Sequence, residues 1–303
     1  MKNNSKIIRK IYGLILIILL LSSIIFSATQ GSANLSFLES MKIIGGKMPI
    51  FGQFVDLTSI KEVYVDIVWN IRMPRILMAG LVGAALSVVG ATFQSTFKNP
   101  LADPHILGIS SGAAVGATIA MFTGISLNIF GFGIIGIFAF VGALITAVVV
   151  YQLACIGNKV SSINVILTGT AISTLLSSVI SLMMVFHHEK IEKVYMWTLG
   201  SFSSATWVKT GFAAVFIFVF VIGVFIYAKE LDMMITGNET AQSLGVDTGK
   251  IRKILIVFST VLIATCVAVS GIIGFVGLII PHCVRILSGP KHKNLLPFSC
   301  FGG

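Results

Sequence analysis

Long uncharged apolar stretches alternate with short polar segments along most of the chain. They cover residues 11–26, 76–97, 106–124, 131–155, 163–186 and 210–228. An α-helix rises about 1.5 Å per residue, so a stretch of about 20 residues crosses the roughly 30 Å of hydrocarbon in a bilayer. The pattern predicts an all-α polytopic membrane protein.

A further apolar stretch, residues 254–284, is too long for one straight span. We expect its helix breakers to divide it into a full span, a turn and a short returning helix. These breakers are Gly271, Gly274, Gly277 and Pro281. Residues 294–303 are typical of the first turns of another span, so the pattern predicts about eight spans and the start of a ninth.

Basic residues precede the first apolar stretch, and this arrangement fits either a cleavable signal peptide or an uncleaved first helix. The spans that follow favour the uncleaved helix. Residues 29–70 mix glycine, serine and charges of both signs. They predict an external loop with an amphipathic piece near residues 51–65 and no span.

Composition supports the membrane assignment, since 56% of residues are hydrophobic and only 11% are charged. The net charge of +10 is explained by the positive-inside rule. An inside N-terminus places thirteen Lys and Arg inside and eight outside. We therefore expect a multi-pass membrane protein with its N-terminus inside, in contact with lipid and not with nucleic acid. The scattered cysteines indicate neither a disulfide framework nor a zinc site.

One polar stretch, residues 229–253, lies between two apolar spans and is predicted to be a cytoplasmic loop. Within it, Glu239 to Leu244 predict a short helix with Ala241 and Leu244 on one side, and Gly245 is placed to end it. Such a loop can contact a second protein.

The same loop has only a superficial likeness to a phosphate-binding P-loop. Three residues separate Gly245 from Gly249 where the motif needs four, and Ile251 follows Lys250 where a Ser or Thr would bind magnesium. If the protein uses ATP, the ATPase must be another chain.

No Asp, Glu, Lys or Arg lies inside the predicted spans. This argues against an ion-coupled carrier and against an intramembrane hydrolase, and no catalytic residue is assigned. His105 and His282, near span ends, are interpreted as helix-end histidines with local hydrogen bonds and not as metal ligands. Residues 187–190 fit a solvated charged turn better than a metal site.

Glycines recur every four residues at Gly108, Gly112 and Gly116, which forms a smooth helix face. Packing within one subunit and a dimer face both remain open. At the external start of the second span, Pro74 suits a first helical turn between Arg72 and Arg75. These arginines are expected to project from the membrane and donate hydrogen bonds to carboxylates, or to anchor the protein to lipid headgroups.

Several motifs together resemble the FecCD permeases, the membrane subunits of type II ABC importers for ferric siderophores, haem and cobalamin. They are Arg72-Met-Pro-Arg75, Gly83-Ala-Ala-Leu, Gln94, Asn99-Pro-Leu-Ala-Asp-Pro104, Leu107-Gly-Ile-Ser-Ser-Gly112, Ser161-Ser162, Trp197-Thr-Leu-Gly-Ser-Phe202, residues 271–282 and Arg285. The resemblance runs from Ile71 to the last residue.

The resemblance implies one ten-helix permease domain, with the remainder of the ninth helix and the tenth helix missing here. It implies a dimer with a second copy or a close homologue, two ABC ATPases that hold ATP and Mg, and an extracytoplasmic substrate-binding protein. This chain itself would hold no metal or other cofactor. The site residues implied are Arg72 and Arg75 for docking, Asn99, Pro100, Leu101, Ser161 and Ser162 for the cytoplasmic gate, and Glu239, Ala241, Leu244 and Gly245 for ATPase coupling.

The sequence therefore predicts an iron-chelate import permease, with siderophore ahead of haem and haem ahead of cobalamin. A stand-alone secondary carrier or channel for a small solute is the alternative. A non-transporting remnant is a third possibility.

Overall fold

The computed structural model describes residues 2–31, 33, 35–48, 52–125, 128–129, 131–156, 159–160 and 162–303. Helices dominate it: α1 Lys2–Thr29, α2 Phe37–Lys47, α3 Glu62–Asp66, α4 Met73–Thr96, α5 Ile109–Thr123, α6 Ile134–Ala154, α7 Ser162–Phe186, α8 Ile191–Thr198, α9 Trp207–Ile226, α10 Ala228–Thr236, α11 Asn238–Ser243, α12 Thr248–Ser270, α13 Val276–Ser288 and α14 His292–Gly302. A π-helical segment, Ile67–Arg72, joins α3 to α4. Short 3-10 turns lie at Gly52–Phe54, Pro104–Leu107 and His188–Lys190. Two-residue strands form antiparallel hairpins, β1 Asn128–Ile129 with β2 Phe132–Gly133, and β3 Cys155–Ile156 with β4 Lys159–Val160.

Six helices in the described part of the chain are long and apolar enough to cross a bilayer, and α5 and α13 are shorter apolar helices. Together they supply the eight predicted spans, and α14 supplies the predicted start of a ninth. The boundaries of α4 to α7 and of α9 lie within three residues of the predicted ones. Apolar length alone therefore located most of the bundle.

The core surrounds α4. In the apolar 18-residue stretch of this span, 72% of the residues are buried. Helices α9, α12, α13 and α14 pack around it, and α12 also contacts α5 and α6. In contrast, only 11% of the residues in the corresponding stretch of α7 are buried. The bundle thus has a central helix and one largely uncovered helix.

The long apolar stretch is broken where predicted, but by fewer residues. The chain leaves α12 at Gly271, whose φ is +71°, and resumes as a helix at Val276 after passing Gly274. The expectation that Gly277 and Pro281 also break the chain is wrong, since both lie inside α13.

Helix α13 contains Pro281 and crosses α4 closely. Pro281 has no N–H, so the Gly277 carbonyl lacks its usual helical partner. That carbonyl faces Gly90 of α4, where a side chain would overlap it. The helix continues through Pro281 with this carbonyl against the backbone of Gly90.

The segment before α4 is more ordered than predicted. The predicted amphipathic piece near residues 51–65 contains the 3-10 turn and most of α3, and Phe51 lies outside the described residues. Helix α2 was not predicted, although Ser36 and Glu39 carry its capping-box signature. It packs with the end of α1 and the π-helical segment in a second small core.

Candidate functional site

The predicted loop 229–253 consists of α10, α11 and the first turn of α12. Leu231 and Met234 of α10 are fully buried, and α10 contacts both α4 and α14. This end of the bundle is called the α11 end below, and the opposite end, where α4 begins, is called the Arg75 end.

The two apolar residues predicted for the short helix differ in exposure. Ala241 is fully buried, whereas Leu244 is 64% exposed. The expectation that they share a side is wrong, because α11 ends at Ser243 and Leu244 lies beyond its periodicity. Gly245, with φ of +85°, ends the helix as predicted, and Glu239 lies in its first turn.

The N-terminus of α12 is occupied by a side chain of the chain itself. The Asp247 carboxylate accepts a hydrogen bond of 3.0 Å from the Lys250 N–H. A carboxylate at this position repels a phosphate from the donors that a P-loop would offer.

The predicted gate residues Asn99, Pro100 and Leu101 form a turn directly after α4. The Asn99 side-chain oxygen accepts from the Leu101 N–H at 2.9 Å, and Leu101 is 72% exposed. Ser161 lies outside the described residues, and Ser162 is the first residue of α7. The gating role of these residues stays a prediction.

At the Arg75 end, the two predicted docking arginines differ. The Arg72 guanidinium donates to the Ala28 carbonyl at 2.7 Å and to the Ala33 carbonyl at 3.5 Å, and it is half-buried. The expectation that Arg72 projects from the surface is therefore wrong, because it braces the end of α1. Arg75 is exposed, with one 3.0 Å bond to the Ser203 carbonyl, so most of its donors remain open.

A cavity of about 660 Å³ lies at the Arg75 end between α6, α8, α9 and α12. Its wall includes Lys193 and Lys209, and the Lys209 ammonium donates to the Ser204 carbonyl at 3.0 Å. With Arg75, these lysines place three basic side chains at this end of the bundle.

His105 has the local hydrogen bonds expected of a helix-end histidine. Its Nε2 lies 2.9 Å from the Ile273 carbonyl, which can only accept, so Nε2 carries the proton and Nδ1 accepts from the Ser110 hydroxyl. These bonds tie the turn before α5 to the break before α13. His282 is exposed, and His187 stacks on Phe122 with ring centroids 4.1 Å apart.

The glycine face predicted on α5 packs within the chain. Side chains at Gly112 and Gly116 would overlap with backbone or side-chain atoms of Thr146 and Phe138 in α6. Gly108 instead begins α5 in a left-handed conformation, beside Gly169. Of the two alternatives, the structure supports packing within one subunit.

Sequence reasoning missed a buried polar network near the α11 end. His292 is fully buried and lies between Asp232 of α10 and Ser95 of α4. Its residues are 60 and 197 positions apart along the chain, so no local pattern could reveal them.

A row of hydroxyl groups on α7 was also missed. It comprises Thr170, Thr174, Ser177, Ser178 and Ser181. Each is exposed, and each donates to the carbonyl four residues earlier. The helical spacing of these residues was a usable sequence signal.

The model of the FecCD transport family matches residues 16–303. The chain belongs to this family. An uncharacterised ABC transporter permease of Bacillus subtilis is 39% identical over 79% of this chain and 68% of its own length. The haemin transport permease of Yersinia pestis is 34% identical over 97% of this chain and 84% of its own length.

A cobalamin import permease of Halobacterium salinarum is 39% identical, and the chain spans 63% of its length. A solved structure described as an inward-facing metal-chelate type ABC transporter superposes with a TM-score of 0.81 at 31% identity. The superposition covers 96% of this FecCD chain and 86% of the chain in the solved structure. The family and fold predicted from the motifs are confirmed, and these relatives are transport components and not enzymes.

Proposed function

We propose that this FecCD protein is the permease subunit of an ATP-driven importer for a metal chelate or a cobalamin-like cofactor, with ferric siderophore as the first candidate cargo. Relatives named for haemin, cobalamin, ferric citrate, ferric hydroxamate and molybdate support the class and show why family membership alone cannot choose the cargo. The transporter would work in the bacterial cytoplasmic membrane, with the N-terminus and the α11 end inside.

The exposed Leu244 carries the proposal. An apolar side chain that is 64% exposed on a polar segment costs solvation free energy unless another surface covers it. The buried Ala241 and α10 anchor the segment to the bundle, so the position of Leu244 relative to the bundle is fixed. We infer that it enters a groove of a partner ABC ATPase, and that the ATPase holds ATP and Mg.

The Arg75 end would receive the substrate-binding protein. Arg75, Lys193 and Lys209 favour an acidic partner surface, which speeds encounter and sets register more than it adds affinity. Arg75 is the better docking residue. Arg72, predicted as its companion, would contribute by holding α1 in place.

A second copy, or a close homologue, would pack so that the hydroxyl face of α7 borders a central path. This face is largely uncovered, and its polar groups tolerate water. The turn at Asn99–Leu101 and the residues Ser161 and Ser162 would close the path at the inner end. ATP-driven closure of the ATPases would push the α10–α11 segment and open the path to the inside.

Replacing Leu244 with Asp tests the coupling surface. Because Leu244 is exposed, the variant should fold and reach the membrane normally. Its charge would be desolvated at the ATPase contact, so uptake should fall at least tenfold. Leu244→Met is the matched control and should transport normally. Normal uptake by Leu244→Asp would refute the assignment.

The cargo is tested by uptake of labelled ferric siderophore, haem, cobalamin and molybdate in cells that lack this gene and carry a plasmid copy. Restored, ATP-dependent uptake of one cargo identifies it. Uptake that continues when ATP is depleted but the membrane stays energised would favour a secondary carrier. Restoration of none of them would contradict the proposal.

A further inference from the structure

The buried network at the α11 end joins three helices that are distant in sequence. His292 Nδ1 lies 2.7 Å from the Asp232 carboxylate, and the same carboxylate oxygen accepts from the His292 backbone N–H at 2.8 Å. On the other side of the ring, Nε2 lies 2.6 Å from the Ser95 hydroxyl. One residue therefore connects α10, α14 and α4.

The protons of this network can be assigned. The carboxylate only accepts, so Nδ1 carries a proton. When the Ser95 hydroxyl donates to the Ala91 carbonyl, 2.9 Å away, it accepts from a protonated Nε2. When the imidazole is neutral, the hydroxyl donates to Nε2 instead. Every group is satisfied in both states with the same positions of the heavy atoms, so the connection holds irrespective of the charge on His292.

The order Asp232, His292, Ser95 resembles a hydrolase triad, but burial excludes that role. Ser95 is 2% exposed and His292 is fully buried, so no substrate reaches the hydroxyl. A buried polar network that is fully satisfied instead fixes the relative positions of the elements it joins.

Its position gives it a mechanical role. Helix α10 directly precedes α11, and its buried residues Leu231 and Met234 press against the core. Asp232 lies between them and is partly exposed, whereas Ser95 is near the end of the central helix α4. Displacement of α10 must therefore either move α14 and α4 with it or break this network.

We propose that Asp232, His292 and Ser95 are positioning residues that transmit movement of the α10–α11 segment to α4, and that without them ATP hydrolysis is poorly coupled to transport. This inference rests on the proposed function. Apolar contacts of α10 allow sliding, whereas hydrogen bonds to a buried ring fix direction and register. Through this network, movement of the α10–α11 segment by an ATPase would be transmitted to α4.

The test uses the complete transporter, with its ATPase and binding protein, in liposomes. Transported cargo per ATP hydrolysed is measured for wild type, Asp232→Ala, Asp232→Asn and Ser95→Ala. We expect cargo per ATP to fall about fivefold or more in Asp232→Ala. Asp232→Asn keeps an acceptor oxygen and should retain most coupling. Ser259→Ala is the matched control, because Ser259 is an equally buried serine outside the network.

A purely structural role predicts a different result. Variants would then yield less assembled complex, but each complex would transport the normal amount of cargo per ATP, and this outcome overturns the inference. If Asp232→Ala does not assemble, Ser95→Ala decides the question by the same ratio, because it removes the α4 side of the network and should lower cargo per ATP severalfold. Adding Ser95→Ala to Asp232→Ala should cause little further loss, since both break one connection.

The result for the wild-type transporter distinguishes failure of the proposed function from failure of this inference. Wild-type liposomes without ATP-dependent uptake would refute the proposed function, and this inference with it. Coupled wild type beside equally coupled variants would refute this inference alone.

Discussion

Replacing Gly90 with alanine tests the crossing of α4 and α13. An ideal Cβ at Gly90 would overlap the backbone carbonyl of Gly277, and backbone cannot rotate away as a side chain can. The two helices would have to separate by roughly 1 Å or more, a typical response to overpacking. Separation would also stretch the 3.2 Å bond from the Gln94 amide to the Leu278 carbonyl.

The expected cost follows from these contacts. Overpacking a tight core costs about 1–3 kcal/mol, and a weakened hydrogen bond adds about 1 kcal/mol. Alanine returns about 1 kcal/mol because it forms helix better than glycine. The net loss is about 2 kcal/mol, which lowers the apparent melting temperature by roughly 3 °C for a chain of this size.

The assay is thermal unfolding of the purified protein in detergent, followed by loss of the monodisperse peak on size exclusion. Gly80→Ala is the matched control on the same helix, because no atom lies within 4 Å of its added Cβ. It should melt at the wild-type temperature or slightly above. The reasoning is refuted if the two variants melt together.

Two more predictions concern the Arg75 end. Arg72→Ala should lower the melting temperature and speed proteolysis between α1 and α2, whereas Arg75→Ala should change neither, because only Arg72 is half-buried against backbone carbonyls. Similar behaviour of the two would contradict this. The Ser36 hydroxyl and N–H lower the pKa of Glu39, so the α2 cap stabilises above the ordinary glutamate pKa and is lost as pH falls through the lowered one. Hydrogen exchange of α2, corrected for intrinsic rate, should rise below about pH 4. Glu39→Gln should remove that dependence, and a variant with the wild-type profile would count against the cap.

The sequence located spans well because bilayer thickness imposes one length on every apolar stretch. It located the break at Gly271 because glycine readily adopts a positive φ, and the chain has such a φ at this position. It placed Gly277 and Pro281 wrongly, since their effect depends on the facing glycine of α4, which is remote in sequence. Intrinsic preference was overruled by a packing partner.

The candidate site was predicted only in part. Gly245 was identified correctly because a local rule governs helix ends. The direction of Arg72 depends on where the end of α1 lies, and the environment of His292 depends on three separate helices. Contacts of that kind are decided by tertiary packing, which residue spacing does not encode.

The hydroxyl row of α7 has a consequence for selectivity. These five hydroxyls already donate to carbonyls of their own helix, so none of their protons needs a ligand as its acceptor. Lipid, water, a protein surface or a dissolved molecule can exchange against it at little enthalpic difference. If this face borders the proposed path, it would bind water and cargo with similar strength and would hold neither tightly. Under the proposed function, discrimination among cargoes would then lie with the substrate-binding protein, and a different cargo could be carried without changes in α7.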